Sequence, residues 1–197
     1  MKNKSDDLIF HTRICDGAQI LIIAVANLRF ATQYLRKSFG RKERWKTMTI
    51  KTRIFGEIDI DTSKIINFSS GMIGFDNLKQ FMLMHDVEDE SPKIMWLQSI
   101  DDTDIAFPVA DPLLFKEDYD PIVEDELFKN IGEIEGEEML VLTTVTVPSD
   151  IEKMSVNLKA PIVINSGTMK GCQIIVDNED YPVKYYVYDI LKAGKGA

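Results

Sequence analysis

The sequence predicts a mainly β protein, a small antiparallel β-barrel-like domain capped by one or two short helices. From position 48 onward, short apolar or β-branched runs recur at the spacing of about 8–12 residues that is typical of sandwiches and barrels. Glycine and proline separate these runs, as they do in turns. Hydrophobic residues make up 45% of the 197 residues, which is enough for the packed core of one domain.

The first predicted strand runs through residues 50–60, where apolar residues alternate with polar ones. The alternation is interrupted at Phe55-Gly56, and such an interruption within one strand predicts a β-bulge. A second strand is expected over residues 62–68. The glycines of the 71–74 stretch then predict a turn.

Two short helices are predicted. Asp76 is a suitable N-cap for a helix over residues 77–81. Apolar residues recur at helical spacing over residues 123–131, and Gly132 follows as a typical C-terminal stop. The second of these is the stronger helical pattern in the chain.

The later strands are predicted from alternation or from β-branched composition. Trp96 lies in a continuous apolar run of strand length, so we expect it in a buried strand that supports the barrel. Pro148 ends another run, because proline cannot donate to a strand ladder. These strands are expected over residues 94–100, 105–109, 139–147, 156–158, 161–164, 173–176 and 181–187.

Charge divides the chain near position 48. Residues 1–47 carry ten Lys or Arg against four Asp or Glu, whereas residues 48–197 carry thirteen against twenty-eight, a net charge of −15. Two such compositions in one small domain are unusual. We therefore expect residues 1–47 to be an N-terminal extension, disordered or translated from a mis-called start, and residues 48–197 to form the β domain.

The cysteine content and the longest apolar stretch bear on location. Cys15 and Cys172 are the two cysteines, too few for a disulfide framework or a four-cysteine zinc site. The apolar stretch over residues 18–26 is far shorter than the roughly 20 residues of a membrane-spanning helix. A cytoplasmic protein without membrane association is therefore expected.

Motifs of the common enzyme classes are missing from the sequence. It contains no P-loop, no dinucleotide-binding glycine fingerprint, no nucleophile-elbow serine and no paired-histidine zinc motif. No catalytic residue, cofactor or metal ion is therefore expected. The net charge of −15 on residues 48–197 also opposes direct binding of nucleic acid, since phosphates would be repelled.

One acidic run is a candidate cation site. Asp101-Asp102-Thr103-Asp104 supplies the hard oxygen ligands that magnesium and calcium prefer, but lacks the glycine and distal glutamate of a calcium loop. A solvated hairpin tip is the favoured interpretation. A metal-dependent enzyme that uses this run is an alternative.

Six ordered motifs between residues 49 and 188 resemble those of the flagellar assembly factor FliW family. In chain order they are FGEI at 55–58, FSSGMIGF at 68–75, WLQSI at 96–100, FPVADP at 107–112 with Tyr119, MSVNLKAPIVIN at 154–165, and the glutamine at 173. The resemblance implies a small antiparallel barrel-like fold. It also implies a cytoplasmic, non-enzymatic regulator that binds flagellin and the RNA-binding translational repressor CsrA (carbon storage regulator), and thereby relieves repression of flagellin mRNA translation.

The residues of this chain that are expected to contact CsrA are acidic. A protein that binds RNA presents a basic surface, and that surface is attracted to negative charge. Polar residues within strands either face a partner or need hydrogen-bond partners in the interior. An alternative function is a small-molecule-binding barrel with tyrosines around a closed interior. The candidate protein-binding residues are Asp101, Asp102, Asp104, Glu124, Asp125, Glu126, Asn157 and Asn165.

Overall fold

The computed structural model describes residues 46–85, 93–123, 129–133 and 138–193. In chain order the strands are β1 (Thr47–Thr52), β2 (Gly56–Asp61), β3 (Ile66–Phe68), β4 (Gln80–Met84), β5 (Met95–Ser99), β6 (Ala106–Ala110), β7 (Met139–Thr146), β8 (Ser155–Val156), β9 (Ile162–Asn165), β10 (Lys170–Gln173) and β11 (Tyr185–Tyr186). Short 3-10 turns cover Thr62–Lys64, Pro112–Leu114 and Ile151–Lys153, and an α-helix covers Tyr188–Ala193. In this part of the chain, no helix is both long and apolar enough to cross a membrane.

Seven strands close into a barrel, in the order β3-β4-β5-β6-β7-β9-β10 and back to β3. Strand β7 closes the sheet because it pairs with β6 on one side and with β9 on the other. All pairings around the barrel are antiparallel except that of β10 with β3, which is parallel. Closure leaves these strands without a free edge. The predicted fold class is confirmed.

The barrel interior is filled with apolar side chains from alternate strand positions. Phe68 and Phe81 meet edge to face with ring centroids 5.0 Å apart, and Leu83, Leu97 and Leu142 are almost fully buried around them. Burying each such side chain contributes about 1.5–3 kcal/mol. This packed interior is the main apolar core of the barrel.

Strands β1 and β2 form a separate hairpin on the outside of the barrel. Its inward residues, among them Ile58 and Ile60, pack against Met82 and Met84 on the outer face of β4. Both faces of β4 are therefore buried. The predicted bulge in one long strand is wrong, because Thr52 pairs directly with Gly56 across a tight turn, where Gly56 has a φ of 69°.

A third apolar cluster lies outside β7 and β9, beneath β8, β11 and the C-terminal helix. Tyr119 and Tyr181 stack there with ring centroids 4.8 Å apart, and the Tyr119 hydroxyl donates to the carbonyl of Leu158 at 2.9 Å. These two tyrosines belong to the outer cluster and not to the barrel interior. Their position weighs against the small-molecule-binding alternative.

Other element boundaries differ from the predictions. The helix expected over residues 77–81 is wrong: Leu78 is buried in a turn, and β4 begins at Gln80. Leu78 and Phe81 share a helix-like spacing, but both are anchored in the barrel core. The strand expected over 181–187 is reduced to Tyr185–Tyr186, and an unpredicted helix follows. Of the helix expected over 123–131, residues 124–128 lie outside the described residues.

Candidate protein-binding site

Two loops meet at one end of the barrel. The β3–β4 loop (residues 69–79) and the β5–β6 loop (residues 100–105) both leave the barrel there, because β3 and β5 end at the positions where β4 and β6 begin. We call these two loops together the acidic end. They carry the carboxylates of Asp76 and of the predicted acidic run.

Asp101 joins the two loops. One carboxylate oxygen accepts the backbone N–H groups of Lys79 at 2.6 Å and Gln80 at 2.8 Å. Hydrogen bonds from N–H groups to a charged carboxylate are stronger than those between neutral groups. Asp101 is exposed, but its carboxylate already has a structural role.

Asp102 and Asp104 form the tip of the β5–β6 connection, so the hairpin-tip interpretation is confirmed. Asp102 accepts the N–H of Asp104 at 3.1 Å, and its own N–H donates to the Ser99 hydroxyl at 3.1 Å. Both carboxylates are exposed. Nowhere in the described ranges do three or more His, Cys, Asp or Glu side chains gather as metal ligands.

The predicted glycine turn lies in the β3–β4 loop, at the same end of the barrel as this hairpin tip. Gly71 and Gly74 have φ values of 74° and 83°. Met72 pairs with Phe75 in an isolated antiparallel β-bridge. Met72 is buried, whereas Ile73 is 51% exposed and Phe75 is 37% exposed. The turn is confirmed, and it presents apolar side chains to solvent.

Comparison with known proteins identifies the family. The family model described as "FliW protein" matches residues 49–187. The flagellar assembly factor FliW of Lachnospira eligens is 48% identical over 147 residues, covering 74% of this chain and 97% of that protein. The FliW of Lachnoclostridium phytofermentans is 43% identical over 143 residues, covering 72% and 92%. The chain belongs to the FliW family.

A solved structure supports the same assignment. The crystal structure of a flagellar assembly factor FliW superposes with a TM-score of 0.65 at 27% sequence identity, covering 71% of this chain and 96% of the other. The FliW family match includes both loops of the acidic end. The predicted resemblance is confirmed.

Two glutamines that were not predicted as site residues hold the loops of this FliW barrel in place. Gln98 is fully buried, and its amide nitrogen lies 2.9–3.1 Å from the carbonyls of Ser99, Thr103 and Ile105.

Gln173 accepts the N–H of Ile73 at 3.0 Å and donates to the carbonyl of Ala160 at 3.1 Å. The available signal in the sequence was a polar amide within an apolar strand.

The two candidate asparagines are engaged within the fold. Asn165 is completely buried: its amide donates to the carbonyls of Ile131 and Glu133, and its oxygen accepts the N–H groups of Gly167 and Thr168. The Asn157 oxygen accepts two backbone N–H groups, at positions 159 and 160. Of the two readings given for strand asparagines, the structure therefore supplies the interior hydrogen-bond partners.

The second acidic group falls outside the description. Glu124, Asp125 and Glu126 lie among the residues that the structure does not describe, so their role as contacts stays a prediction. Of the eight candidates, Asp102 and Asp104 have exposed carboxylates at the end of the barrel where the glycine turn also lies.

Proposed function

We propose that this protein is a non-enzymatic flagellar assembly factor of the cytoplasm that binds CsrA and flagellin. When flagellin is scarce, it captures CsrA and so relieves repression of flagellin mRNA translation. As flagellin accumulates, flagellin claims the factor and repression returns. The observation that carries the proposal is the FliW family match over residues 49–187, together with relatives named flagellar assembly factor FliW.

The charge of the chain supports the CsrA half of this proposal. A protein that binds RNA needs basic surface to neutralise phosphates. Residues 48–197 carry a net charge of −15, which attracts such a surface and accelerates its diffusional encounter. Exposed carboxylates at Asp102 and Asp104 place part of that charge on a loop tip.

The experiment measures binding of the full chain to purified CsrA and to purified flagellin by calorimetry, and association with CsrA by stopped flow. We expect both partners to bind, and association with CsrA to slow as salt rises, because charges lose their mutual reach beyond about 8–10 Å at ordinary ionic strength. Failure to bind either partner would contradict the proposal.

A pair of charge-reversed variants tests the acidic end itself. The double variant Asp102→Lys/Asp104→Lys should slow association with CsrA, since two attractions become repulsions. The control is Glu179→Lys/Asp180→Lys, which changes the net charge equally at two exposed positions elsewhere. An equal effect of both variants would mean that total charge, and not this loop, steers CsrA.

A further inference from the structure

The acidic end also carries an apolar tip, formed by Ile73 and Phe75 of the glycine turn and distinct from the acidic hairpin tip. Ile73 is 51% exposed and Phe75 is 37% exposed. The Phe75 ring meets the half-buried ring of Phe107 edge to face, with centroids 5.1 Å apart. Single exposed apolar residues are common, but here two lie within three positions of one turn, and the ring of Phe107 packs against the second of them.

The turn that bears this tip is held from several sides. Its residues Met72 and Leu78 are buried in the barrel core, the N–H of Phe75 donates to the Met72 carbonyl at 2.8 Å, and Gln173 accepts the N–H of Ile73. A side chain presented on a rigid element loses little conformational freedom when it binds. The exposed position of Ile73 is therefore built into the fold.

The two loops of the acidic end carry an excess of negative charge. Residues 69–79 and 100–105 contain four carboxylates and one ammonium group, and that ammonium, on Lys79, donates to the carbonyl of Ser69 at 2.7 Å. Two copies of this end would bring like charges together, which disfavours self-association through it. The fitting partner has an apolar pocket with a basic rim.

We propose that Ile73 and Phe75 are the central anchors of the surface that binds the basic partner, with Asp102 and Asp104 at its rim and Asp101 as a positioning residue. This inference rests on the proposed function: of its two partners, the RNA-binding CsrA is the one whose recognition of phosphates demands basic surface. Protein–protein interfaces concentrate their binding energy in a few residues near the centre, whereas charged residues at the rim contribute more to the association rate.

The test uses full-length variants with Ile73→Ser or Phe75→Ser, and Met139→Ser as the matched control. Met139 is 46% exposed and begins β7 at the opposite end of the barrel. We expect Ile73→Ser and Phe75→Ser to raise the Kd for CsrA about tenfold or more, chiefly through faster dissociation. Met139→Ser should leave the Kd unchanged. Thermal melts confirm that each variant is folded.

The positioning role of Asp101 has its own measurement. Asp101→Asn retains an oxygen that can accept the two N–H groups, whereas Asp101→Leu cannot accept them. We expect Asp101→Asn to bind CsrA more tightly than Asp101→Leu at equal extents of folding. If the two variants bind equally, Asp101 does not act through the loop.

Several outcomes would overturn the inference. If folded Ile73→Ser and Phe75→Ser bind CsrA with the affinity of the unaltered chain, these two residues are not anchors. The proposed function would still stand, because the unaltered chain binds CsrA in that case. Weakened flagellin binding with unchanged CsrA binding would assign the surface to the other partner. A dimer in sedimentation that Ile73→Ser dissociates would assign it to a second copy of the chain. If the unaltered chain does not bind CsrA, both the inference and the CsrA proposal fail.

Discussion

Single residues determine the shape of the acidic end. Gly71 allows the β3–β4 loop to fold tightly, and the side chains of Asp101 and Gln173 then fasten that loop to its neighbours. Each of these hydrogen bonds is donated by a backbone N–H group of the loop or of the first residue of β4. Loop conformation here therefore depends on a few side chains that are distant in sequence.

The two glycines of the turn should differ in their tolerance of a side chain. A Cβ atom on Gly71 would lie 2.7 Å from the carbonyl oxygen of Phe75 and 2.9 Å from backbone atoms of Asp76, whereas one on Gly74 would meet nothing within 4 Å. We expect Gly74→Ala to cost about 1 kcal/mol, from its positive φ alone. Gly71→Ala should cost about 2–4 kcal/mol, because steric overlap adds to backbone strain.

Urea unfolding followed by circular dichroism measures both losses. Equal losses would mean that the backbone around residues 75 and 76 moves away from the added methyl group. In that case the turn is softer than its hydrogen bonds indicate.

Cys172 should make the stability of the protein fall in alkaline solution. Burial raises the pKa of its thiol from 9.0 to about 11, so folding favours the protonated form. This contribution is fully present below pH 9 and is lost as the pH rises through about 11. Burial also raises the pKa of Tyr119. Tyr119 is present with and without Cys172, so its contribution to the pH profile is the same in both chains.

The measurement is urea unfolding between pH 8 and 11 on the Cys15→Ser chain and on the same chain with Cys172→Ala. We expect a steeper loss of stability in the chain that retains Cys172. Its thiol should also react with Ellman's reagent more slowly than a peptide thiol at neutral pH, since the thiolate is the reactive form. Parallel pH profiles would contradict the assignment.

Whole elements owe their position to strands that are buried on both faces. In β5, Leu97 points into the barrel and is fully buried, while Trp96 points outward and lies edge to face against Phe55 of the hairpin at 6.1 Å. Trp96 is only partly buried. Trp96 does lie in a buried strand, as expected. Its side chain, however, packs against the outer hairpin and not inside the barrel.

Neighbouring substitutions in β5 should separate the two layers. Leu97→Ala should cost about 2–5 kcal/mol, because it leaves a cavity in the barrel core. Trp96→Ala should cost less and should loosen mainly the β1–β2 hairpin. Amide hydrogen exchange would show faster exchange at Ile58 and Ile60 in Trp96→Ala, with β7 and β9 still protected. Equal acceleration throughout would mean that hairpin and barrel unfold as one unit.

The parallel seam of the barrel depends on one close approach. Gly171 pairs with Phe68 across β10 and β3, and a Cβ atom on Gly171 would lie 2.6 Å from the Phe68 ring. We expect Gly171→Ala to cost about 1–3 kcal/mol through overpacking. Phe68→Leu removes the obstructing ring atoms, so the double variant should lose less than the sum of the two single losses. Additive losses in a double-mutant cycle would refute this contact.

At the scale of the whole molecule, the folded unit should not need most of residues 1–47. The family match begins at residue 49, and β1 begins at Thr47. Lys46 contributes its carbonyl, which accepts the N–H and the hydroxyl of Thr62 at 3.0 and 2.9 Å. We therefore expect a chain that begins at Met48 to fold, at a cost of about 1 kcal/mol for these exposed bonds.

A chain that begins at Lys46 is the matched control, because it retains both bonds. Thermal midpoints and CsrA affinities of the two short chains and the full chain provide the comparison. Equal CsrA affinity in all three is expected. An unfolded or inactive Met48 chain, with an intact Lys46 chain, would place the boundary two residues earlier.

Local pattern in the sequence was sufficient for much of the fold and for the family. Alternation and turn residues predicted the barrel class, most of its strands and the glycine turn, because these features follow from the two-residue period of a strand and from the φ preference of glycine. The motifs over residues 49–188 predicted the FliW family, which comparison confirms. The acidic hairpin tip was likewise predicted correctly.

Only the tertiary structure decided which face each residue serves and which loops meet. The possible N-cap at Asp76 and the interruption at Phe55-Gly56 each fit two local structures, and the packing of the folded chain selected between them. The bonds from Asp101 to residues 79 and 80 and from Gln173 to Ile73 join positions 21–22 and 100 residues apart. No local pattern encodes such distances, because they arise when barrel closure brings the strand ends together.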